Sequence, residues 1–179
     1  MTKEFYKKCI EVEVYGPFQE HVNRRLNFLD KVRCRIMSPE MNAVYLIRKM
    51  QYYGTSQMGG GISQLIHNKL IRRYGIFVSP KCQIGLGLRI YHPTSIVITN
   101  AVIGENFTIF QNCTIGQKYA GKDGYGLVPH IGNNCSMYAN SSIIGDVEVT
   151  DNVIIGAHAC LLGDAKEPGV YVGAPAKLK

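Results

Sequence analysis

The sequence lacks several features that would define its class at once. Its 179 residues contain no run of eighteen apolar residues and no CxxC pair among the six cysteines, so neither a transmembrane helix, a zinc ribbon nor a disulfide framework is indicated. The first residues also lack the uninterrupted apolar segment of a signal peptide. We therefore expect one ordinary domain, or a domain with a small appendage, in the cytoplasm, with its cysteines as free buried thiols.

The chain has a net charge of +7, and the excess of basic over acidic residues lies entirely in its first part. Residues 1–81 contain 14 Lys and Arg against 6 Asp and Glu, whereas residues 82–179 contain 6 against 7. Such a region is ordinarily a solvated helical surface, and it would also attract anionic acceptors or a membrane surface. Nucleic acid is not an expected partner, because no binding motif accompanies the charge.

The basic N-terminal region, residues 1–75, contains helical patterns. Apolar residues at helical spacing predict a helix over about 39–53, with Ser38 as its N-cap. A second helical pattern follows and ends at Gly75. His67 belongs to this second helix and is expected on its surface.

From residue 76 onward, apolar residues recur every six positions. This period fits neither a helix nor the two-residue alternation of a β-sandwich, but short strands joined by tight corners in a parallel β-helix produce it. Three hexads make one coil, so twelve hexads predict about four coils. With a one-residue slip after the third, the positions are Ile84, Ile90, Ile96, Ile103, Ile109, Ile115, Ile131, Met137, Ile143, Val149, Ile155 and Leu161.

One long interruption breaks the period between Ile115 and Ile131. The residues there, GQKYAGKDGYGLVPH, include four glycines, three charges and two tyrosines. They are too many for a corner, so a loop at about 117–130 should protrude from the coils, where binding groups commonly collect. Beyond it, the hexads predict three stacked pairs: Ile131 with Val149, Met137 with Ile155 and Ile143 with Leu161.

Four segments of residues 76–179 carry a more specific signal: IGLGLRIYHPTSIVI, AVIGENFTIFQNCTIG, IIGDVEVTDNVIIGAHACLL and VGAPAK. They resemble the hexapeptide-repeat acyltransferases, most closely the serine acetyltransferase branch. The resemblance implies a mainly β fold, a left-handed parallel β-helix with a short α-helical N-terminal region, although crossovers in proteins are usually right-handed. It also implies a homotrimer with acetyl-CoA between subunits and no metal.

The resemblance also implies site residues. It aligns His92 with the family's catalytic base, and a neutral imidazole can take the proton of an acceptor hydroxyl as that hydroxyl attacks the thioester. It puts acetyl-CoA beside the small residues Gly116, Ala139 and Ala157, and the phosphates of CoA near Lys177.

Three polar groups of the family's serine site are replaced in this chain. Tyr91 stands where an acid precedes the histidine, Phe77 where a second acid lies one coil earlier, and Val128 where a second histidine lies. Free serine needs ionic partners for both of its charges, so a bulkier uncharged acceptor is expected, with Tyr91 as a stacking face. His130 either replaces the missing histidine or is a solvated residue at the end of the loop.

These observations favour an acetyl-CoA-dependent O-acetyltransferase acting on a hydroxyl of a sugar or surface-polysaccharide precursor. One alternative is the serine O-acetyltransferase of cysteine biosynthesis, and another is a non-catalytic trimeric scaffold. A metal-dependent hexapeptide protein of the γ-carbonic-anhydrase kind is disfavoured, because His92, His130 and His158 include no closely spaced pair.

Overall fold

A computed structural model describes residues 1–55, 59–117 and 128–179. In these ranges, helical segments come first and short strands follow. None of the helices in the described ranges is long and apolar enough to cross a membrane. The helical segments are α1 (Lys3–Cys9), a π-helix (Ile10–Tyr15), α2 (Gly16–Val22), α3 (Phe28–Met37), α4 (Pro39–Gly54) and α5 (Gly60–Tyr74).

The ends of α4 and α5 agree closely with the sequence pattern. The Ser38 hydroxyl accepts a hydrogen bond from the N–H of Met41 at 3.4 Å, which confirms Ser38 as the N-cap of α4. Gly75 has a left-handed backbone with φ 63, and its N–H donates to the Ile71 carbonyl. A left-handed residue of this kind commonly ends a helix and costs glycine no steric strain.

The remainder of the described chain is built from strands that are mostly two or three residues long. Their outward residues are exposed or half-buried, and the apolar residue of each hexad points into the core. The strands are β1 (Phe77–Val78), β2 (Gln83–Ile84), β3 (Arg89–Ile90), β4 (Val97–Ile98), β5 (Val102–Ile103), β6 (Thr108–Ile109), β7 (Thr114–Gly116), β8 (His130–Ile131), β9 (Ser136–Met137), β10 (Ser142–Ile144), β11 (Glu148–Val149), β12 (Val153–Ile155), β13 (Cys160–Leu161), β14 (Gly169–Gly173) and β15 (Ala176–Leu178).

The strands form a solenoid with three parallel faces. Face 1 contains β1, β4, β7, β10 and β13, and face 2 contains β2, β5, β8 and β11. Face 3 contains β3, β6, β9, β12 and β14, with β15 added antiparallel at its end. The protruding loop predicted at about 117–130 falls largely on residues 118–127, which lie outside the described residues.

The registers confirm the stacking predicted beyond the loop: Ile131 pairs with Val149, Met137 with Ile155 and Ile143 with Leu161. An earlier register differs from the hexad count, because Ile115 pairs with Ile98 and not with Ile96. Six residues separate β3 from β4, whereas four separate β6 from β7. The corner that contains His92 is therefore two residues longer than the corner stacked on it.

A buried ion pair joins the helical segments to the first coil. Arg48 of α4 donates to both carboxylate oxygens of Glu13, at 2.8 and 2.7 Å, and neither side chain is exposed. Glu13 also accepts the backbone N–H groups of Gly87 and Leu88, and Arg48 donates to the Ile84 carbonyl. Both buried charges therefore have partners, and the pair fixes the π-helix and α4 against the coil.

His67 does not lie on the surface of α5 as predicted. Only 7% of the residue is exposed, and its ring centroid lies 4.9 Å from that of Phe77 in β1. The prediction was wrong because α5 packs the side that carries His67 against the start of the solenoid. Burial lowers the pKa of His67, and its Nε2 atom has no hydrogen-bond partner in the described part of the chain.

Candidate active site

His92 lies in the long corner between faces 3 and 1. Its side chain is exposed and makes no hydrogen bond with any residue that the structure describes. The backbone of His92 is left-handed, with φ 51, and that of Ser95 is also left-handed, with φ 52. A left-handed residue also occurs at other corners of the solenoid, for example at Asn112 and Asn140. The longer corner differs in having two such residues, of which His92 is the first.

Backbone hydrogen bonds hold this corner on both sides. The N–H of Ser95 donates to the Tyr74 carbonyl at 3.0 Å, and the N–H of Asn112 donates to the Thr94 carbonyl at 3.1 Å. Pro93, directly after the histidine, is buried. Since the backbone on each side of His92 is fixed, the imidazole stands on a rigid part of the scaffold.

The corners between faces 3 and 1 stack into what we call the His92 edge, formed by residues 91–96, 110–113, 138–141 and 156–159. Ala139 and Ala157 lie in its third and fourth corners, where the N–H of His158 donates to the Ala139 carbonyl at 3.0 Å. The backbone N–H groups of Ala139 and Ala157 themselves have no partner among the described residues. Two free donors beside small side chains suit an extended ligand that contains amide carbonyls.

Three aromatic rings stack along the same edge. The ring centroids of Tyr91 and Phe110 are 5.0 Å apart with an angle of 21° between the rings, and those of Phe110 and Tyr138 are 4.9 Å apart with an angle of 11°. The His92 ring lies 6.4 Å from Phe110. Both tyrosines are exposed. His92 therefore stands beside an aromatic surface, and Tyr91 has the exposed ring that was expected to serve as a stacking face.

A pocket of about 360 Å³ lies between the helical segments and face 3, with Tyr91 in its wall. Glu20, Glu40 and Arg89 also line it, so that carboxylates and a guanidinium surround one cavity. The Ser38 hydroxyl donates to a carboxylate oxygen of Glu40 at 3.2 Å. Sequence reasoning missed these charged residues, because the two glutamates are far from His92 along the chain and no motif marks them.

The other predicted site residues do not lie on the His92 edge. His130 is exposed in β8 on face 2, where it pairs with Val102 and Glu148, so one chain does not bring it beside His92. Gly116 ends β7 at the opposite side of face 1, and Lys177 is exposed in β15.

The three replaced positions offer little polarity to the site. Tyr91 carries only its phenol, and Phe77 pairs with Val97 on face 1 and contacts His67. Val128 is half-buried at the edge of the described residues. Of the charged residues in the pocket beside Tyr91, Arg89 is the nearest to His92 along the chain, three residues before it.

Thiols and metal ligands are not assembled at this edge. All six cysteines are free, and Cys113 is buried with its Sγ atom 3.1 Å from the Tyr138 carbonyl. In the described ranges, no group of three His, Cys, Asp or Glu residues could hold a metal ion. The edge presents a base and free backbone donors, and its thiol faces inward.

Comparison with known proteins agrees with this architecture. The family model for the bacterial transferase hexapeptide (six repeats) matches residues 129–163. A serine acetyltransferase of Staphylococcus epidermidis is 36% identical over 102 residues, which are 56% of this chain and 47% of that protein. The chain spans less than half the length of the curated relatives that it matches.

Solved structures extend the similarity to almost the whole chain. The serine acetyltransferase of Neisseria gonorrhoeae superposes with a TM-score of 0.79 at 23% identity, covering 98% of this chain and 66% of that one. A serine acetyltransferase in complex with CoA gives a TM-score of 0.76 at 20% identity, covering 99% of this chain and 70% of that one. At these identities the likeness establishes the fold.

The repeats, the three-faced solenoid and these similarities confirm the predicted fold class, a parallel β-helix of hexapeptide repeats that follows an α-helical N-terminal region. The matching model is that of hexapeptide transferases and the relatives named here are serine acetyltransferases, so the similarity seen in the sequence is confirmed.

Proposed function

We propose that this protein transfers an acetyl group from acetyl-CoA to an acceptor hydroxyl, with His92 as the general base. One observation carries the proposal: the exposed imidazole of His92 lies on the same edge as the N–H groups of Ala139 and Ala157, and none of these groups has a hydrogen-bond partner within residues 1–55, 59–117 and 128–179. Such an edge offers a proton acceptor and a binding track without any covalent intermediate.

The reaction is a direct transfer. As the acceptor oxygen attacks the thioester carbonyl carbon, its proton passes to the imidazole of His92, and a backbone N–H stabilises the oxyanion. The carbon–sulfur bond then breaks, and the imidazolium returns the proton to the leaving thiolate of CoA. Base assistance of this kind is worth about 10²- to 10⁴-fold in rate. Cys113 has no part in it, because its thiol is buried.

Acetyl-CoA as donor is supported by the relative whose structure is a complex with CoA. The pantetheine amides would bond to the backbone of Ala139 and Ala157, whose small side chains allow close approach. Gly116 and Lys177 lie away from this edge in one chain. They and His130 would join the site only if a neighbouring subunit contributed them, as in the homotrimer that the resemblance implies.

The acceptor is better supported as serine than as the sugar hydroxyl expected from Tyr91, Phe77 and Val128. The curated relative named above is a serine acetyltransferase, and the pocket beside Tyr91 offers ionic partners that the sequence did not reveal. Glu20 or Glu40 would face the ammonium group, and Arg89 the carboxylate. Charges paired in this way remove the cost that argued against a zwitterion.

A sugar hydroxyl remains the second candidate, because of the aromatic surface. The stacked rings of Tyr91, Phe110 and Tyr138 adjoin the base, and exposed aromatic rings are suited to pack against the apolar face of a sugar. A role in polysaccharide synthesis belongs to this second candidate. A cytoplasmic location stays a prediction under both.

The test is release of the CoA thiol by the purified protein from acetyl-CoA, with L-serine or a panel of sugars as acceptor. We expect turnover with serine, and an Arg89→Gln variant should raise the KM for serine about tenfold to a hundredfold, because a hydrogen bond to a charged group is lost. The KM for acetyl-CoA should stay unchanged. Lys166→Gln, an exposed site on the solenoid with a weak ion pair, is the matched control.

The other outcomes are equally specific. Turnover on sugars with none on serine would support the second candidate and reject the ionic pocket. A third outcome is that neither serine nor any sugar is acetylated. If the wild type and a His92 variant then also show the same affinity for acetyl-CoA, or the same lack of binding, the protein is better described as a non-catalytic scaffold.

A further inference from the structure

The helix α3 presents an apolar face to solvent. Four of its large apolar side chains are each between 64% and 75% exposed: Phe28, Leu29, Ile36 and Met37. Side chains three, four, seven and eight positions apart lie on one side of a helix. Phe28, the half-buried Val32 and Ile36 thus form one row, and Leu29, the exposed Arg33 and Met37 form the next. We call this surface, apolar except for Arg33, the α3 face.

This surface belongs to a well-formed helix. Asn27 and Asp30 make a capping box, in which each side chain accepts the backbone N–H of the other residue, at 2.9 and 3.1 Å. The opposite side of the helix is anchored by Cys34, which is 1% exposed and whose thiol donates to the Val14 carbonyl. The exposure of the α3 face therefore reflects its orientation.

Positive charge lies on and beside the α3 face, with Arg33 between Leu29 and Met37 and Arg25 just before the helix. Arg25 and Arg33 are exposed, and their side chains make no hydrogen bond or ion pair with a residue of the described ranges. The carboxylate of Asp30 is already bonded to Arg24 at 2.6 and 3.0 Å, and this guanidinium holds the pKa of Asp30 below its usual value. The charge left to meet a partner is therefore cationic.

We propose that the α3 face is a docking surface for an anionic lipid membrane, with the apolar side chains entering the interface and the arginines facing the headgroups. An apolar helical face flanked by Arg and Lys has the composition of interfacial helices. A second copy of this chain fits less well, because pairing the face with itself across a two-fold axis would bring Arg25 and Arg33 towards their own copies. In this proposal, the attraction to a membrane surface that was expected of the basic N-terminal region is assigned to the helix α3.

The experiment is co-sedimentation of the full chain with phosphatidylcholine vesicles, with or without about one third phosphatidylglycerol. We expect binding to the anionic vesicles only. The double variant Leu29→Ser/Ile36→Ser should weaken it at least about tenfold through lost apolar burial. Arg25→Gln/Arg33→Gln should weaken it by about tenfold through lost charge attraction. All substitutions are at exposed positions, and thermal unfolding will check that the fold is kept.

Leu162→Ser is the matched control, since Leu162 is a similarly exposed apolar residue on the solenoid, and this variant should bind like the wild type. Binding of the wild type to neither vesicle, or equal loss in the Leu162 variant, would overturn the proposal. The proposal would also be overturned if the α3 variants lost vesicle binding and, in light scattering, had a smaller molar mass than the wild type. The α3 face would then be a contact between copies of the chain. None of these readouts depends on acetyl transfer.

Discussion

His92 and His158 occupy corners of the same edge, in the first and fourth coils of the solenoid, and both have a left-handed backbone, with φ 51 and 60. In the two corners between them, asparagine takes the left-handed position, at Asn112 and Asn140, with φ 57 and 62. Asn112 donates a side-chain hydrogen bond to Asn140, and Asn140 lies 3.4 Å from the His158 ring. Asparagine is thus accepted at left-handed corner positions of this edge, although the bond from the Asn112 N–H to the Thr94 carbonyl shows that Ser95, and not His92, is stacked on Asn112.

That relationship allows a clean test of His92. We expect His92→Asn to lower kcat by about 10²- to 10⁴-fold, the usual contribution of a general base. The melting temperature should change little, because asparagine tolerates a left-handed φ and the replaced side chain is exposed. Steady-state kinetics of CoA release and thermal unfolding of the same preparation measure the two effects.

The control is His158→Asn, which makes the same change at another exposed, left-handed position of the same edge. It should leave kcat within about twofold, since surface substitutions away from a site have small effects. Equal losses of activity in the two variants would assign the effect to the edge as a whole. Full activity in His92→Asn would remove this residue from the mechanism.

The repeat could be read from the sequence because every coil obeys one rule. An apolar residue must face the core at each hexad, and thus Ile131, Met137 and Ile143 alone predict the register of three strands with the next coil. The rule fails at the corner of His92, where a local lengthening shifts Ile98 into the place assigned to Ile96. The corner that contains His92 departs from the regular six-residue spacing, and the period therefore cannot predict the position of this residue in the coil.

The pocket beside Tyr91 and the burial of His67 could not be predicted from the period of the hexads. Both arise where the helices meet the solenoid, and contacts between distant segments leave no periodic trace in the sequence. The charges of Glu40 and Arg89 read separately as ordinary surface residues, and only their common cavity suggests a role. The apolar residues of α5 lie on more than one side of the helix, because Leu65 and Ile71 are exposed while Ile66 and Leu70 are buried. Their pattern therefore did not show that the side with His67 is the buried one.

The ion pair between Arg48 and Glu13 should be essential to stability. Arg48→Met leaves the carboxylate of Glu13 buried with only backbone donors, and removing one partner of a buried pair costs about 3–5 kcal/mol. Urea unfolding will measure the change. Lys31→Met breaks the ion pair with Glu11, which is partly exposed, and should cost no more than about 1 kcal/mol. Similar costs for the two variants would mean that the buried pair does not hold the helices to the first coil.

Mildly acidic pH should destabilise the fold through His67. Burial lowers the pKa of His67 in the folded state, whereas in the unfolded chain it is about 6.5. The unfolded state therefore binds more protons below about pH 6.5, and this part of the stability, complete above that pH, is lost as the pH falls towards the folded pKa.

The urea unfolding midpoints of the wild type and of a His67→Phe variant, each measured at about pH 7.5 and about pH 5.5, will show how much of the acid destabilisation comes from His67. The phenylalanine keeps a ring against Phe77. The midpoint of the variant should fall less on acidification than that of the wild type, because the phenyl ring cannot be protonated. Parallel shifts in the two proteins would attribute the acid sensitivity to other groups.

The cysteines should react very unequally in the native protein. Burial raises the pKa of Cys9 and Cys34 to about 11 and that of Cys82 to about 12, and it also raises the pKa of Cys135. Since the thiolate is the reactive form, these thiols should be inert at neutral pH.

Of the six cysteines only Cys160, in β13, is half-buried rather than buried. N-ethylmaleimide should therefore modify at most one thiol per native chain, and mass spectrometry of peptides should locate it at Cys160. A Cys160→Ser variant should remove the fast-labelled peptide, while unfolding in guanidinium should expose every thiol of the wild type. Rapid native labelling of Cys82 would contradict its burial between the helices and the first coil, since a thiol that reacts there must be open to water.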